Sequence, residues 1–273
     1  MTTDRRSGGL LHALVLLLGP PRFEAATPSH EGLRYTDATR SGIAPLCDVY
    51  LPDGAGPHPS VIVVHGGGFV VGSRGMKPVR LMATRLRDAG FAVCAVDYRL
   101  LLRGGGLDVQ VEDLNQAAAY WRSACARLRC DPERISMLGF SAGAALMLLH
   151  ARQSGYGYHK LVSLYGVTSF DRIRGRRAEL LLRWILGTTD RRAWEAKSPL
   201  AHATTTSPLL VIHGEADDLV PVAHATRLHA TRLERGLPTE IELVPGMRHG
   251  WLNDASLPET DRAIARVLSF LSG

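Results

Sequence analysis

Gly139-Phe140-Ser141-Ala142-Gly143 sets a serine among small residues where two patterns meet. Upstream, Arg134-Ile135-Ser136-Met137-Leu138 is a β-branched and apolar run; downstream, Ala144 to His150 is rich in helix formers. Strand, tight turn and helix is the context in which the serine of G-x-S-x-G becomes a nucleophile, its hydroxyl exposed on a strained turn. Residues 139, 142 and 143 lack the bulk that would keep strand and helix apart. A glycine-rich connection with an incidental serine has the same five letters. The rest of the chain decides between them.

Attack by a serine on an acyl carbon builds an oxyanion, which needs backbone N–H donors aimed at it. His65-Gly66-Gly67-Gly68-Phe69 follows the apolar run Val61 to Val64, and its glycines let the chain bend without side-chain obstruction. The expected oxyanion donors are Gly67, Gly68 and, from the elbow, Ala142, with His65 bracing the loop. A phosphate-binding loop is the competing reading, but neither G-x-G-x-x-G nor G-x-x-x-x-G-K-[ST] can be placed here.

A general base is needed to take the serine proton, and a carboxylate to orient that base. His213-Gly214-Glu215-Ala216-Asp217-Asp218 follows another apolar run, and Asp217 is the chosen carboxylate, with Asp218 and Glu215 as turn or capping alternatives. Gly246-Met247-Arg248-His249-Gly250-Trp251 lies on a glycine-flanked loop after the last alternating run, and His249 is the chosen base. His150, His224 and His229 fall in helical patterns and read as surface residues.

The elements that must carry these residues alternate. Strands are expected at Leu46–Leu51, Val61–Val64, Phe91–Val96, Arg134–Leu138, Lys160–Tyr165, Pro208–His213 and Thr239–Val244. Helices are expected at Lys77–Ala89, Val109–Arg129, Ala144–His150, Val222–Glu234 and Asp261–Leu271, with Asp131-Pro132-Glu133 as a turn. Continuous apolar strands between helices imply an α/β fold, a mostly parallel sheet covered on both faces. Residues 31–273 form one catalytic domain with no internal repeat or linker. Residues 168–198 break the rhythm around one helical piece, Ala178–Leu186, and form a small lid or insertion. Candidate substrate contacts are Phe69, Trp184 and Trp251, with ordinary packing the alternative for the tryptophans.

The chain has 273 residues, 45% hydrophobic and 21% charged, and a net charge of +6. Its basic residues are scattered apart from Arg172, Arg174, Arg176, Arg177 and Arg183, read as a solvated helix face ahead of a site that attracts an acidic substrate. No nucleic-acid motif accompanies them. Four cysteines form no C-x-x-C and no H-E-x-x-H occurs, so no metal or cofactor is expected. Cys94 reads as a buried small hydrophobe, and Cys125 and Cys130 are near enough in sequence to pair in an oxidising compartment. Residues 1–30 form a leader. Arg5-Arg6, the apolar run Leu10–Leu18 and Gly19-Pro20-Pro21 follow the order of a secretory signal, whereas His12 and Glu24 oppose one. A cytoplasmic enzyme is favoured over a secreted one, and the apolar run is too short to span a bilayer.

The H-G-G-G-F motif, Asp97-Tyr98-Arg99-Leu100, G-F-S-A-G-A, H-G-x-x-D-x-x-V-P and the terminal G-x-x-H-G, from about residue 45 onward, together resemble the hormone-sensitive-lipase-like and small bacterial acetyl and feruloyl esterase-like α/β-hydrolases. The order Ser141, Asp217, His249 is theirs as well. The resemblance implies an eight-stranded sheet and carboxylic ester hydrolysis through that triad, on small ester or related acyl substrates. Two departures bear on substrate: the segment before His65 is short for the two-helix N-terminal cap of many relatives, and Gly104-Gly105-Gly106 stands where Ala-Pro is usual. A small lid favours short acyl groups. The alternatives are amide or formamide hydrolysis, acyl transfer or lyase chemistry on the same triad, and a non-catalytic binding protein on the same scaffold.

Overall fold

The computed structural model describes residues 23–36, 45–173 and 175–273, apart from the side chain of Arg177; the leader before residue 23 and Arg174 lie outside them. Eight strands form one sheet: β1 (His30–Arg34), β2 (Leu46–Tyr50), β3 (His58–Val64), β4 (Ala92–Val96), β5 (Cys130–Phe140), β6 (Leu161–Leu164), β7 (Leu209–Gly214) and β8 (Thr239–Val244). Their order is β1-β2-β4-β3-β5-β6-β7-β8. β1 pairs antiparallel with β2, and β2 with β4; every pairing from β4 to β8 is parallel.

The continuous apolar runs are explained by the two faces they serve. Val61 and Val63 of β3 point into one core with Val93 and Ala95 of β4, while Ile62 and Val64 point into the other with Cys94 and Val96. Successive side chains of a strand alternate between faces, so a strand covered on both sides must be apolar at every position. Helices α1 (Lys77–Asp88) and α7 (Pro258–Ser272) cover one face. Helices α2 (Leu107–Ala124), α3 (Ala142–Gln153) and α6 (Ala223–Glu234) cover the other. The lid insertion between β6 and β7 adds α4 (Arg176–Leu186) and α5 (Arg191–Lys197) to that second side.

Several boundaries differ from the sequence reading. β1 and α5 were not expected; β1 is a half-buried edge strand and α5 buries only Trp194, so neither has a strong apolar period. Asp131-Pro132-Glu133 is a bulge inside β5 rather than a turn before it, because His58 faces Cys130 and Ser60 faces Ile135. The Glu133 N–H donates to the Asp131 carboxylate at 2.9 Å, closing the excursion locally. α2 stops at Ala124, five residues early.

Two of the three histidines read as surface residues are core residues. His150 is fully buried, its ring between Asn115 Oδ1 (2.6 Å) and the Tyr158 hydroxyl (2.5 Å). His224 is buried against the base of the lid, where its Nδ1 accepts from the Thr168 and Ser169 amides at 3.1 and 3.2 Å. Burial pulls both down to about 4. Polar partners made these positions tenable, and helical periodicity carries no information about such partners. Cys47, Cys94, Cys125 and Cys130 are all buried free thiols. No described helix is long and apolar enough to cross a membrane.

Candidate active site

Ser141 sits between the end of β5 and the start of α3 with φ 50° and ψ −114°. A non-glycine residue there is strained by roughly 1–3 kcal/mol and persists only where its surroundings over-determine it. They do. A Cβ on Gly139 would lie 2.5 Å from Ala144 Cα, and one on Gly143 would lie 2.3 Å from the His65 carbonyl oxygen. The Ser141 amide donates to Leu164 O of β6 at 2.9 Å, which pins the turn to the sheet. The strand-to-helix passage is therefore open only to glycine at 139 and 143.

The glycine loop after β3 passes directly beside the serine, since a Cβ on Gly66 would stand 3.3 Å from Ser141 Cβ. Gly67 and Gly68 have φ of 113° and 60°, and a Cβ on Gly67 would overlap the Val71 carbonyl at 1.9 Å. Among the described residues, the amides of Gly67, Gly68 and Ala142 have no backbone acceptor. Unpaired amides on the loop beside the serine and at the N-terminus of α3 are the kind of donor that a developing negative charge needs. His65 lies buried at the loop's root, with Nδ1 2.6 Å from Gly66 O and its ring stacked at 4.2 Å on Tyr98. It holds the loop and does not reach Ser141.

Four positioning groups escaped the sequence reading. Buried Gln110 of α2 donates to Phe69 O (3.0 Å) and Gly105 O (2.8 Å), fastening both glycine loops to one helix. Arg74 joins Asp48 at 2.7 Å and Asp97, tying the oxyanion loop to β2 and to the end of β4. Arg99 makes a bidentate pair with the fully buried carboxylate of Asp113, Nη2 donating to Oδ1 at 2.6 Å and Nε to Oδ2 at 3.0 Å. The fourth is His213, described below. The three-glycine loop has a steric reason, since a Cβ on Gly105 would fall 1.7 Å from Arg99 O. Arg99 and His213 stand inside the quoted D-Y-R-L and H-G-x-x-D-x-x-V-P motifs without a role assigned to them, and no motif marks Gln110 or Arg74.

His249 Nε2 is 2.9 Å from Ser141 Oγ, and its Nδ1 is 2.7 Å from Asp217 Oδ2. The other Asp217 oxygen accepts from the Leu219 and Val220 amides at 3.0 and 2.8 Å. Burial alone would raise the Asp217 carboxyl, but hydrogen bonds from His213 and His249 outweigh it and hold the group well below the usual carboxylate range. His213 is buried at the end of β7, its Nε2 2.8 Å from Val220 O and 3.3 Å from Asp217 Oδ2. It thus spans the base of the turn that presents Asp217. The alternatives to Asp217 are engaged elsewhere: Asp218 pairs with Arg248 at 2.9 Å on the surface, and Glu215 is exposed.

The two loops that carry Asp217 and His249 are knitted together. Glu215 N donates to Val244 O at 3.0 Å and Ala216 N to Met247 O at 3.1 Å. The His249 ring packs edge-on against Tyr165 at 5.0 Å, and Tyr165 against Trp251 at 5.1 Å. Trp251 is a core residue that backs the histidine through Tyr165. Trp184, the other candidate tryptophan, stands 64% exposed on α4. Phe69 is buried at the glycine loop with φ 69°, edge-on to Phe170 of the lid base at 6.1 Å.

Strand order, the elbow after β5 and the lid between β6 and β7 define the α/β-hydrolase fold. The BD-FAE family profile matches residues 47–231, more than half of the chain, and the chain belongs to that family. His249 lies beyond the matched stretch. A probable isoprenylcysteine α-carbonyl methylesterase of rice is 28% identical over 82% of this chain and 59% of its own length. Esterase LipC of Mycobacterium tuberculosis is 30% identical over 78% of this chain and 58% of its own. The chain thus spans somewhat under two thirds of these relatives. Among solved structures, Thermogutta terrifontis esterase 2 phosphonylated by sarin superposes with a TM-score of 0.78 at 22% identity, over 92% of this chain and 96% of that one. An acetyl ester-xyloside bifunctional hydrolase of Caldicellulosiruptor lactoaceticus gives 0.77 at 19% identity, over 91% and 98%.

Proposed function

We propose that the protein is a serine hydrolase that cleaves small carboxylic esters through an acyl-enzyme on Ser141. The observation that carries this reading is the unbroken chain Ser141 Oγ, His249, Asp217, at 2.9 and 2.7 Å, built on a strained elbow. His249 Nε2 takes the hydroxyl proton as Oγ attacks the acyl carbon. Asp217, an acceptor toward Nδ1–H, fixes the ring orientation and stabilises the imidazolium that forms. The amides of Gly67, Gly68 and Ala142 receive the oxyanion; the loss of one such donor costs about 3 kcal/mol in other hydrolases. His249 then returns the proton to the leaving alcohol, and water repeats the sequence on the acyl-enzyme. Family membership and the esterases among the relatives agree with this chemistry.

The test is hydrolysis of p-nitrophenyl esters from acetate to decanoate, with Ser141→Ala alongside. The expected result is turnover that falls steeply beyond butyrate and disappears in the variant. Labelling of the wild type, but not of the variant, by a fluorophosphonate identifies the nucleophile independently. A folded wild type that neither labels nor turns over any ester of the series removes the proposal.

A further inference from the structure

Large apolar side chains are exposed at six described positions. Among the described residues they are Val71, Leu102, Leu180, Trp184, Leu219 and Leu233. Val71 follows β3, Leu102 follows β4, Leu180 and Trp184 follow β6, and Leu219 follows β7. Val71, Leu102 and Leu219 stand on the loops directly after β3, β4 and β7, at the edge that also carries Ser141, Asp217 and His249, and α4 reaches the same edge where its Ile185 carbonyl comes within 3.4 Å of a Cβ on Gly106. Only Leu233, on α6, stands apart.

The lid helix α4 concentrates this property. Arg176, Leu180, Arg183 and Trp184 are exposed at the spacing of one helical face, while Leu182, Ile185 and Leu186 are buried on the other. The helix thus shows leucine and tryptophan to solvent between two arginines, besides burying an apolar face of its own. Residues 168–198 hold eight basic and four acidic side chains, which is four of the six net positive charges of the chain. Arg191 pairs with Glu179 and Lys197 with Asp108, but among the described residues Arg172, Arg176, Arg183 and Arg192 have no carboxylate partner.

We propose that the outer face of α4 docks on an anionic lipid surface, with Trp184 and Leu180 entering the headgroup–acyl boundary and Arg176 and Arg183 taking lipid phosphates. A merely solvated helix face accounts for the arginines and leaves the exposed tryptophan and leucine without a reason. A second copy docked on the same face would set two unpaired arginine clusters against each other. An anionic bilayer answers both features: an amphipathic ring and an aliphatic side chain suit the interface, and guanidinium forks suit phosphate. Each arginine near such a surface strengthens partitioning about fivefold. Docking there would turn the mouth of the site toward esters dissolved in the lipid. That consequence rests on the esterase reading, whereas docking itself does not.

The experiment is co-sedimentation of the full chain with vesicles of phosphatidylcholine, with and without phosphatidylglycerol, at low and high salt. Trp121, Trp194 and Trp251 are buried, so a fluorescence blue shift, and quenching by brominated acyl chains, report on Trp184. The expected result is salt-sensitive binding to the anionic vesicles with both optical changes. The double variant Arg176→Glu/Arg183→Glu should lose at least tenfold in partitioning, while keeping the wild-type melting temperature and its rate on soluble p-nitrophenyl acetate. Leu180→Ser/Trp184→Ser should also detach. Equal binding to both vesicle types, no binding, undiminished binding by the arginine variant, or a lipid-free dimer that shields Trp184 overturns the proposal. A chain that binds anionic vesicles but cleaves no ester leaves docking standing and removes the esterase reading; the reverse pattern removes docking alone.

Discussion

The carboxylate of Asp217 receives both histidines of the site, and they do different things. His249 links Asp217 to the Ser141 hydroxyl, whereas His213 closes the Asp217 turn onto Val220 from a position with no solvent access. Asp217→Asn should lower kcat by about 10³–10⁴-fold with little change in KM, because the amide no longer enforces the required tautomer. Steady-state kinetics beside an unchanged melting temperature would check this. His213→Gln keeps a donor at the same remove from Cα and should retain most of the activity. His213→Ala removes that donor and should lower kcat at least tenfold, by freeing the turn. Equal activity of the two variants would make His213 a packing residue only.

Between elements, the site depends on how closely backbones pass. The elbow helix α3 approaches the end of β3 so nearly that a methyl at residue 143 would overlap the carbonyls of His65 and Val64, at 2.3 and 2.5 Å. No flexible side chain can yield there, so helix and glycine loop must separate. Gly143→Ala should cost about 1–3 kcal/mol of stability. It should also depress kcat, since Gly67 and Gly68 ride on the loop that is pushed. A thermal melt and a p-nitrophenyl acetate assay on one preparation read both effects. A stable, fully active variant would show that the close passage is not maintained in solution.

Across the whole molecule, buried histidines tie stability to pH. His150 and His224 are held at about 4 by burial, against an ordinary value near 6.5. Above 6.5 neither folded nor unfolded chain binds the proton. As pH falls from 6.5 toward 4, only the unfolded chain takes it up, so each histidine withdraws stability by up to about 1.4 kcal/mol per pH unit. Protonation of His224 would also remove the acceptor that holds the Thr168 and Ser169 amides at the base of the lid. Asp217 acts in a lower window: its depressed carboxyl stabilises the fold above about 4, and that share is lost only as pH falls further. The melting temperature should therefore decline from pH 6.5 downward, with a shallower slope in His224→Asn. A flat profile between pH 6.5 and 4.5 would contradict the assignment of two neutral buried histidines.

Sequence alone determined the parallel sheet and the order of its helices, because burial on both faces writes itself into unbroken apolar runs such as Val61–Val64 and Leu209–Ile212. It also determined which serine, aspartate and histidine come together, because each stands just past the C-terminal end of a strand, where parallel strands deliver their loops to one edge. Glycines at 139 and 143 were legible for a related reason: a turn that tight tolerates nothing larger. What the sequence could not settle depends on contacts between remote segments. Gln110 fastening two glycine loops, Arg99 on Asp113, His213 under Asp217 and the burial of His150 and His224 follow no local period. The surroundings of the two candidate tryptophans were illegible for the same cause: Trp251 packs behind Tyr165 and Trp184 faces solvent. Residue type and spacing name the groups able to do chemistry, but which face a side chain turns to, and what waits there, is fixed only once distant parts of the chain have packed.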